Sequence, residues 1–461
     1  MKNPILVPEF RDLIKRKKFK IIKSFLDDQH PKEIAEYLGF LEPEEIWKIL
    51  NLVDDYIGAE IFVYIDIDVQ VRMMSGAFRN NIKKLLLQMS HDDRADLFQH
   101  LDKDIVNRLL LLLPPKDRAD ILNLTSYRKE TCGAIMTTDF ATLLEDDIVE
   151  VAIKKIRKDA PGKETIYYIY VTDGDGSLVG FVSLRKLILS RPKQKVRNIM
   201  KREVIYAHVD DDQETAANMI EDYDLIALPV VDIEGKIAGI ITYDDAIDII
   251  REEQTEDMEK LMAISGGAEQ ESYLNVSSFI HFKKRVSWVI ILAMMQFVSG
   301  FIIQGFTETL QNFIILAYYM PLLNSTGGNT GSQSATMVIR AIALNELTFR
   351  DMFKVVKKEL MVSLMISACV GFMVFLRVFV FTGGGGANIP AGLTVARVAY
   401  MLASALSIQV VWATILGALV PLVATRFKID PAVVSSPAIA TLVDIGGIAI
   451  YFTMAKLILG I

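Results

Sequence analysis

Apolar and charged positions are unevenly shared along this 461-residue chain. Before residue ~285 acids and bases recur every few residues, whereas after it long stretches carry none. Residues 286–307, 309–339, 360–376 and 398–425 contain no Asp, Glu, Lys or Arg, and 431–460 contain only Asp444 and Lys456. A membrane-crossing helix needs about 20 apolar residues. The pattern therefore predicts five, near 285–305, 312–342, 358–382, 393–424 and 433–460. Upstream, residues 1–131 read as short amphipathic helices, with start signals at Pro43, at Pro114-Pro115 and at Ser90-His91-Asp92-Asp93. Proline is tolerated in a first turn, Ser caps one, and acids there complement the helix dipole. Recurrence at roughly 20-residue spacing predicts a short superhelical array.

Between 132 and 250 the period changes to that of strands, and the chain repeats. Asp173-Gly-Asp-Gly176-Ser-Leu-Val-Gly180-Phe-Val-Ser183 returns as Asp232-Ile-Glu-Gly235-Lys-Ile-Ala-Gly239-Ile-Ile-Thr242, with Met136 and Met200 opening the two copies. Strands are predicted at 166–171 and 178–183, then at 225–231 and 237–242. Gly176 and Gly235 supply the φ > 0 that tight hairpins use. A helix then leads from the second copy toward the first span and breaks near Gly266-Gly267.

Composition sharpens this division. The chain is 51% apolar yet holds 57 acids and 50 bases, with net charge −7 and mean hydropathy +0.31, so polar and apolar parts are segregated. An acidic balance argues against a nucleic-acid partner, which needs a basic surface. The two cysteines, Cys132 and Cys369, exclude a disulfide scaffold and a cysteine zinc site. Residues 1–40 are charged and carry no secretory core, so the N-terminus is expected to stay cytoplasmic while the first span inserts. Bases flank the spans at Lys283-Lys284-Arg285, at Arg340, Arg350, Lys354, Lys357 and Lys358, and at Arg426 and Lys428. By the positive-inside rule those segments face the cytoplasm and the C-terminus faces out, in a multi-pass cell (inner) membrane protein. The glycine run 383–386 lacks the Lys-Ser/Thr of a phosphate loop and reads as an outer turn.

The chemistry lies in the polar residues that interrupt the apolar half. The second span holds Asn324, Ser325, Thr326, Gly327, Gly328, Asn329, Gly331, Ser332, Gln333 and Ser334 in one stretch. Gly327 and Gly331, one turn apart, let a neighbouring helix approach closely. Asn324, Gly328, Asn329 and Gln333 are the candidate pore lining, with the Asn329 and Gln333 carbonyls on one face. Asp444 is a lone carboxylate inside the last span, and a charge there is expensive unless solvated, paired or protonated. No base sits at matching depth, so a cation or a water-filled path is its natural partner. Ala440 and Gly447 make a smooth face beside it, and Pro437 is expected to leave a backbone carbonyl without its helical donor. Oxygen-only ligands suit hard divalent cations, and Mg²⁺, which keeps its waters, is well served by one carboxylate per chain. Five scattered histidines, no phosphate loop and no triad give no sign of an enzyme.

Residues 201–260 carry 18 acids against 5 bases. Two like charges ~6 Å apart repel by roughly 3 kcal/mol at an effective dielectric near 20, so several such pairs across one interface hold it open unless divalent cations bridge them. Asp245, Asp248 and Glu252 share one helical face, with Glu253 and Glu256 beside it.

The repeated copies resemble a tandem CBS module. In that family Gly-x-x-Ser/Thr-x-x-Asp can hold the ribose of a nucleotide such as ATP; Gly239, Thr242 and Asp245 match, whereas the first copy has Lys186 in place of the Asp. The whole order, with the Gly327–Gln333 segment and the Asp of the last span, resembles the MgtE magnesium channel family. That resemblance implies a multidomain fold: an all-α N-terminal superhelical domain (1–131), two α/β CBS units (132–199 and 200–252), a connecting or plug helix (253–280) and a five-helix transmembrane domain (281–461). It further implies a homodimer in the bilayer, with Asp444 of both chains and the Ala440 carbonyl holding hydrated Mg²⁺. Closure is expected when internal Mg²⁺ fills sites at Asp92, Asp96, Asp212, Glu214, Asp224, Asp245, Asp248, Glu253 and Glu256. Two other readings remain open at this point: a divalent transporter coupled to H⁺ or Na⁺ through Asp444, and a CBS-based nucleotide sensor in the membrane.

Overall fold

The helix-start signals set the architecture of the first part of the chain. Helices α1 (Val7–Lys15), α2 (Phe19–Asp27), α3 (Pro31–Leu38), α4 (Pro43–Leu50), α5 (Asp55–Val63), α6 (Ile67–Met74), α7 (Arg79–Gln88), α8 (His91–Gln99), α9 (Lys103–Leu110) and α10 (Pro115–Leu124) follow one another through short turns. Pro31, Pro43 and Pro115 occupy first turns, and the Ser90 hydroxyl accepts from the Asp93 amide to cap α8. Helices this short are marginal alone and need tertiary burial. They obtain it in one continuous core that includes Ile22, Leu38, Ile46, Ile61, Phe62 and Met73, all fully buried. The computed structural model describes residues 7–76, 79–265, 273, 276–344, 346–382, 393–434 and 436–460; the glycine pairs or runs at 266–267 and 383–386 lie outside these.

Two matching sheets follow. In the first, β1 (Phe140–Leu144) runs parallel to β2 (Thr165–Thr172), which pairs antiparallel with β3 (Leu178–Ser183). In the second, β4 (Ala207–His208), β5 (Ala227–Val231) and β6 (Ile237–Thr242) repeat that order and sense. The helices between them are α11 (Cys132–Ile135), α12 (Val149–Asp159), α13 (Leu184–Leu189) and α14 (Gln213–Asp222). The repeated methionines cross over. A Cβ on Gly180 of the first copy would meet Met200 and the Lys201 carbonyl, and one on Gly239 of the second would meet Met136 and the Thr137 carbonyl. Each opening segment thus packs on the hairpin of the other copy, fixed by Phe181–Lys201 and Thr137–Ile240 bridges.

Helix α15 (Tyr243–Leu261) begins on the second repeat, burying Ala246 and Ile249, and runs on without a break past residue 252. The chain divides into two compact units within this helix, between Glu253 and Gln254.

The second unit contains α16 (Ser278–Gly305), α17 (Thr307–Asn312), α18 (Ile315–Ala343), α19 (Met352–Thr382), α20 (Val395–Arg426) and α21 (Ser436–Leu459). Among the described residues four helices are long and apolar enough to cross a membrane: α16, the Phe349–Val380 stretch, α20 and α21. Helix α18 is equally long, at 29 residues, but its amides, hydroxyls and glycines dilute its hydropathy. Helix α20 is the hub, packing lengthwise on α18, α19 and α21, and buries Ala399, Ala405, Ala413 and Ala418 completely. The first helix starts at Ser278, earlier than the charge pattern suggests, because Ser277 caps it and Lys283–Arg285 continue its register.

Candidate functional site

Small residues bring α18, α20 and α21 together around Asp444. Gly331 of α18 and Gly417 of α20 approach so closely that a Cβ on Gly417 would run into the Gly331 backbone. Gly331 also faces Val443 and Ile439 of α21, and the Ser332 hydroxyl donates to the Ser436 carbonyl at 3.3 Å. The two glycines one turn apart therefore do admit close neighbours, as the spacing suggested. Gly328 opens toward the functional face: a Cβ there would lie 3.5 Å from the Ala440 Cβ and 3.9 Å from Asp444 Oδ1. Asp444 Oδ1 is itself buried without a hydrogen-bond partner, as is Asn324 Oδ1, one turn before Gly328. Among the described residues no base pairs with Asp444. Buried carboxylate oxygens without donors are costly in a protein.

Other predicted residues lie elsewhere. Asn329 is exposed, and Gln333 sits roughly 140° around α18 from Gly328 at 3.6 residues per turn, lining a cavity with Thr330 and Ser334. Gly447 does not form an open wall, since the Gln409 amide of α20 fills the space beside it and beside Gly327. Gln409 is completely buried and neither amide atom has a partner. Pro437 falls in the first turn of α21, where its missing N–H interrupts nothing. Among the described residues of these helices, Pro321 lies inside α18 and Pro421 inside α20.

The end of α15 lies in the same unit as these helices and packs on them. Leu261 joins a cluster of Ala335, Ile339, Ala413, Ile439 and Val443. Lys260 Nζ lies 2.9 Å from Glu256 Oε1 and 2.9 Å from Asp430 Oδ2 in the α20–α21 connection, and Lys284 Nζ lies 3.5 Å from Glu259 Oε2. Burial works against the Lys260 ammonium, but the hydrogen bonds to Glu256 and Asp430 outweigh it and hold its proton well above the usual lysine range.

In the first unit the acids gather where α8, the first repeat and the start of α15 meet. Asp92 and Asp93 open α8, Asp244 and Asp245 open α15, and Glu164 precedes β2. Burial, then repulsion from Asp92, raises Asp245 to about 8, although the Thr242 hydroxyl donates to it at 2.5 Å. Burial, then Asp92 and Asp244, raises Glu164 to about 7; burial, then Asp92, raises Asp93 to about 7. Asp92 is pushed up by burial, and its Oδ1 is enclosed without a partner. Of the predicted sensor residues this cluster contains Asp92 and Asp245; Asp93 and Asp244 stand out in the sequence as acids but carry no sensor assignment there, and Glu164 escaped the sequence reading. Asp96 stands one turn further along α8 beside His100, at 3.6 Å.

A second grouping is tied by Gln213, whose Nε2 donates to Glu253 Oε1 at 2.7 Å, which brings α15 to the start of α14 between Asp212 and Glu214. Asp212 caps α14 by accepting from the Glu214 amide at 2.9 Å. Asp248 pairs with Arg251 at 3.2 Å, and Asp224, at φ +51°, borders a cavity instead. That cavity, about 580 Å³, lies between the two repeats against Tyr168, Tyr170, Phe181, Lys201 and Arg202. Gly239 is filled by Met136, and Thr242 is committed to Asp245. Among the described residues no three His, Cys, Asp or Glu side chains converge for direct metal coordination.

The comparisons agree with this layout. Residues 320–454 match the family described as divalent cation transporter MgtE, 29–130 the MgtE intracellular N domain, and 132–192 and 196–252 the CBS domain. The chain is 35% identical to the magnesium transporter MgtE of Thermus thermophilus over 443 residues, 95% of each chain. It is 29% identical to that of Bacillus subtilis over 96% of this chain and 95% of the relative. Its first half is similar to the crystal structure of the cytosolic domain of the Mg²⁺ channel MgtE in complex with ATP: 33% identity, TM-score 0.50, covering 53% of this chain and all of that one.

Proposed function

Because the chain belongs to the MgtE family of magnesium transporters, we propose that it is a Mg²⁺-selective import channel that internal Mg²⁺ closes. The observation that carries this reading is Asp444: a carboxylate oxygen buried between α18 and α21, facing Gly328 and Ala440, with no donor and no base among the described residues. Two copies related by a two-fold axis would oppose their Asp444 side chains across one path, and hydrated Mg²⁺ would sit between them, helped by the Ala440 carbonyl. The bases at Lys283–Arg285, Arg340, Lys354, Lys358 and Arg426 orient the N-terminal part to the cytoplasm and the C-terminus outward.

Gating follows from the acids. Asp92, Asp93, Glu164, Asp244 and Asp245 repel when bare, and Mg²⁺ relieves the repulsion only where they are brought together. Mg²⁺ therefore binds the closed arrangement better and shifts the population toward it. Asp212, Glu214 and Glu253 make a second such cluster, joined through Gln213, and Asp96, Asp224, Asp248 and Glu256 are the remaining candidate ligands. Helix α15 carries the signal, since its first turn holds Asp244 and Asp245 and its last packs through Leu261 and Lys260 beside α18 and α21. ATP or a similar nucleotide fits the aromatic and basic cavity between the repeats better than the Gly239–Thr242 turn, whose space is taken.

The experiment is single-channel recording from the purified chain in planar bilayers while Mg²⁺ on the cytosolic side is stepped. Mg²⁺ currents that shut as it rises are expected. Flux that requires a proton or sodium gradient, with no channel currents, would favour the coupled transporter, and no flux at all would leave only a sensor.

A further inference from the structure

Helices α18 and α19 each pack lengthwise on α20, and a cavity of about 580 Å³ opens between them, floored by Thr414. Its two ends differ. At one end stand Arg340, in the last turn of α18, and Lys354 and Lys358, in the first turns of α19. Lys354 is paired with Asp351 at 2.8 Å, but among the described residues Arg340 and Lys358 meet no carboxylate within ion-pair distance. Toward the other end Val362 and Ile366 of α19 face Thr330 and Gln333 of α18, with Met337 between the two ends. Lys354, Lys358, Val362 and Ile366 follow one another at four-residue steps, a ridge roughly 18 Å long at 1.5 Å per residue. The inner wall is closed by Glu359, whose carboxylate accepts from the Ser334 hydroxyl at 2.9 Å. Met337 is 64% exposed, so the cavity communicates with the outer surface of the helices.

A slot with unpaired bases at the edge of the apolar band and a hydrocarbon wall leading inward has the polarity of a phosphoglyceride. We propose that this cavity binds one anionic phospholipid per chain, its phosphate held by Arg340 and Lys358 and its first methylenes laid along Val362 and Ile366. Basic pockets between transmembrane helices recognise such headgroups by the same charge pairing. Glu359 is withdrawn onto Ser334, and Glu346 also lines the mouth; with Lys354 paired to Asp351, the two bases Arg340 and Lys358 outnumber it by one. A lipid seated here wedges α19 from α18, the helix that presents Gly328 to Asp444, so occupancy should also be felt in transport.

The test is native mass spectrometry of the full chain, released from nanodiscs of phosphatidylcholine with or without phosphatidylglycerol. Wild type is expected to retain about one phosphatidylglycerol per chain and to discard phosphatidylcholine. Arg340→Ala with Lys358→Ala should retain at least tenfold less, whereas Arg340→Lys with Lys358→Arg should retain it as wild type does. A photoactivatable phosphatidylglycerol should label peptides of α18 and α19 in the unmutated chain, which keeps the test informative if the double variant misfolds. Equal retention of both lipids, equal retention by the alanine variant, release by millimolar inorganic phosphate, or labelling confined to other helices would each overturn the assignment. So would an alanine variant that changes only the number of chains per complex, since a second copy would then be the occupant.

Discussion

If closure docks the end of α15 on the transmembrane helices, weakening that dock must raise the Mg²⁺ needed to shut the pore. Asp430 offers a clean perturbation. Its Oδ2 takes the Lys260 ammonium at 2.9 Å, while its Oδ1 separately accepts from the Ala432 amide at 2.8 Å and caps the short turn at Pro431–Val433. Asp430→Asn keeps an oxygen for the cap and removes the charge. The side chains of Lys260 and Asp430 are 29% and 39% exposed. The ~4 kcal/mol of a pair at an effective dielectric of 20 is therefore an overestimate, and solvent screening brings the contribution down to about 1 kcal/mol or less. That is a factor of about 5 in the closed-to-open ratio for each chain. Shared among cooperative ions, it becomes a roughly two- to fivefold rise in the half-closing Mg²⁺ concentration.

Lys260→Met complicates the outcome in an informative way, because it also releases Glu256 to bind Mg²⁺. The double variant closes a thermodynamic cycle, and the coupling should be near the same 1 kcal/mol, about fivefold. The assay is macroscopic current from reconstituted patches with cytosolic Mg²⁺ stepped from micromolar to tens of millimolar. A half-closing concentration unchanged in Asp430→Asn, or moved downward, would refute the docking argument; so would strict additivity of the two substitutions.

Three further outcomes follow from the same geometry. Asp444→Asn keeps the side chain's shape but removes its charge, and Mg²⁺ flux into proteoliposomes should fall at least a hundredfold while the melting temperature stays within a few degrees. In Gly417→Val the new side chain meets the Gly331 backbone; such overpacking costs about 1–3 kcal/mol, so thermal unfolding in detergent should come several degrees lower, whereas Gly300→Val, which has open space around it, should be neutral. The acids at Asp93, Glu164 and Asp245 have folded pKa values raised to about 7, 7 and 8; without Mg²⁺ the folded form thus holds protons more tightly than the unfolded one, and stability present near pH 4 is lost as pH rises toward 8. Mg²⁺ must displace those protons, so the Mg²⁺ concentration that protects the first unit from proteolysis should fall up to tenfold per pH unit between 6 and 7, and pH-independent protection would contradict the cluster.

What could be read from the chain beforehand depended on how local the physics was. Helix starts at Pro43, Ser90 and Pro115 are set by a turn's own capping, and the hairpins at Gly176 and Gly235 by a φ of +89° and +78°, so both are visible in sequence. Asp444 is visible because a charge in hydrocarbon is conspicuous. Glu164 was not, since it sits in an acid-poor stretch and joins the cluster only when β2 carries it against α8 and α15. Gln409 escaped for the same reason: one amide in an apolar helix gives no periodic signal, and its place beside Gly327 and Gly447 exists only after three helices have packed. The crossing of Met136 and Met200 was equally hidden, because a repeat says which segments are alike and not which copy each one completes.

The helix that hydropathy alone passes over is the one that faces Asp444. Helix α18 gives up apolar surface for Asn324, Gly327, Gly328 and Gly331, and by itself it would cross a bilayer poorly. It is held there by neighbours: Leu316 and Leu323 are buried, the Tyr451 hydroxyl of α21 donates to the Leu316 carbonyl at 2.8 Å, and α20 lies along its length. The Gly331–Gly417 contact that lets α20 in so close is thus a condition for the polar face as well as a packing detail. A side chain at either glycine would push α20 outward, expose the α18 backbone and move Gly328 away from Asp444. Stability and the approach of Gly328 to Asp444 are consequently coupled at this crossing. Substitutions there should lose flux and melting temperature together, whereas Asp444→Asn should lose flux alone.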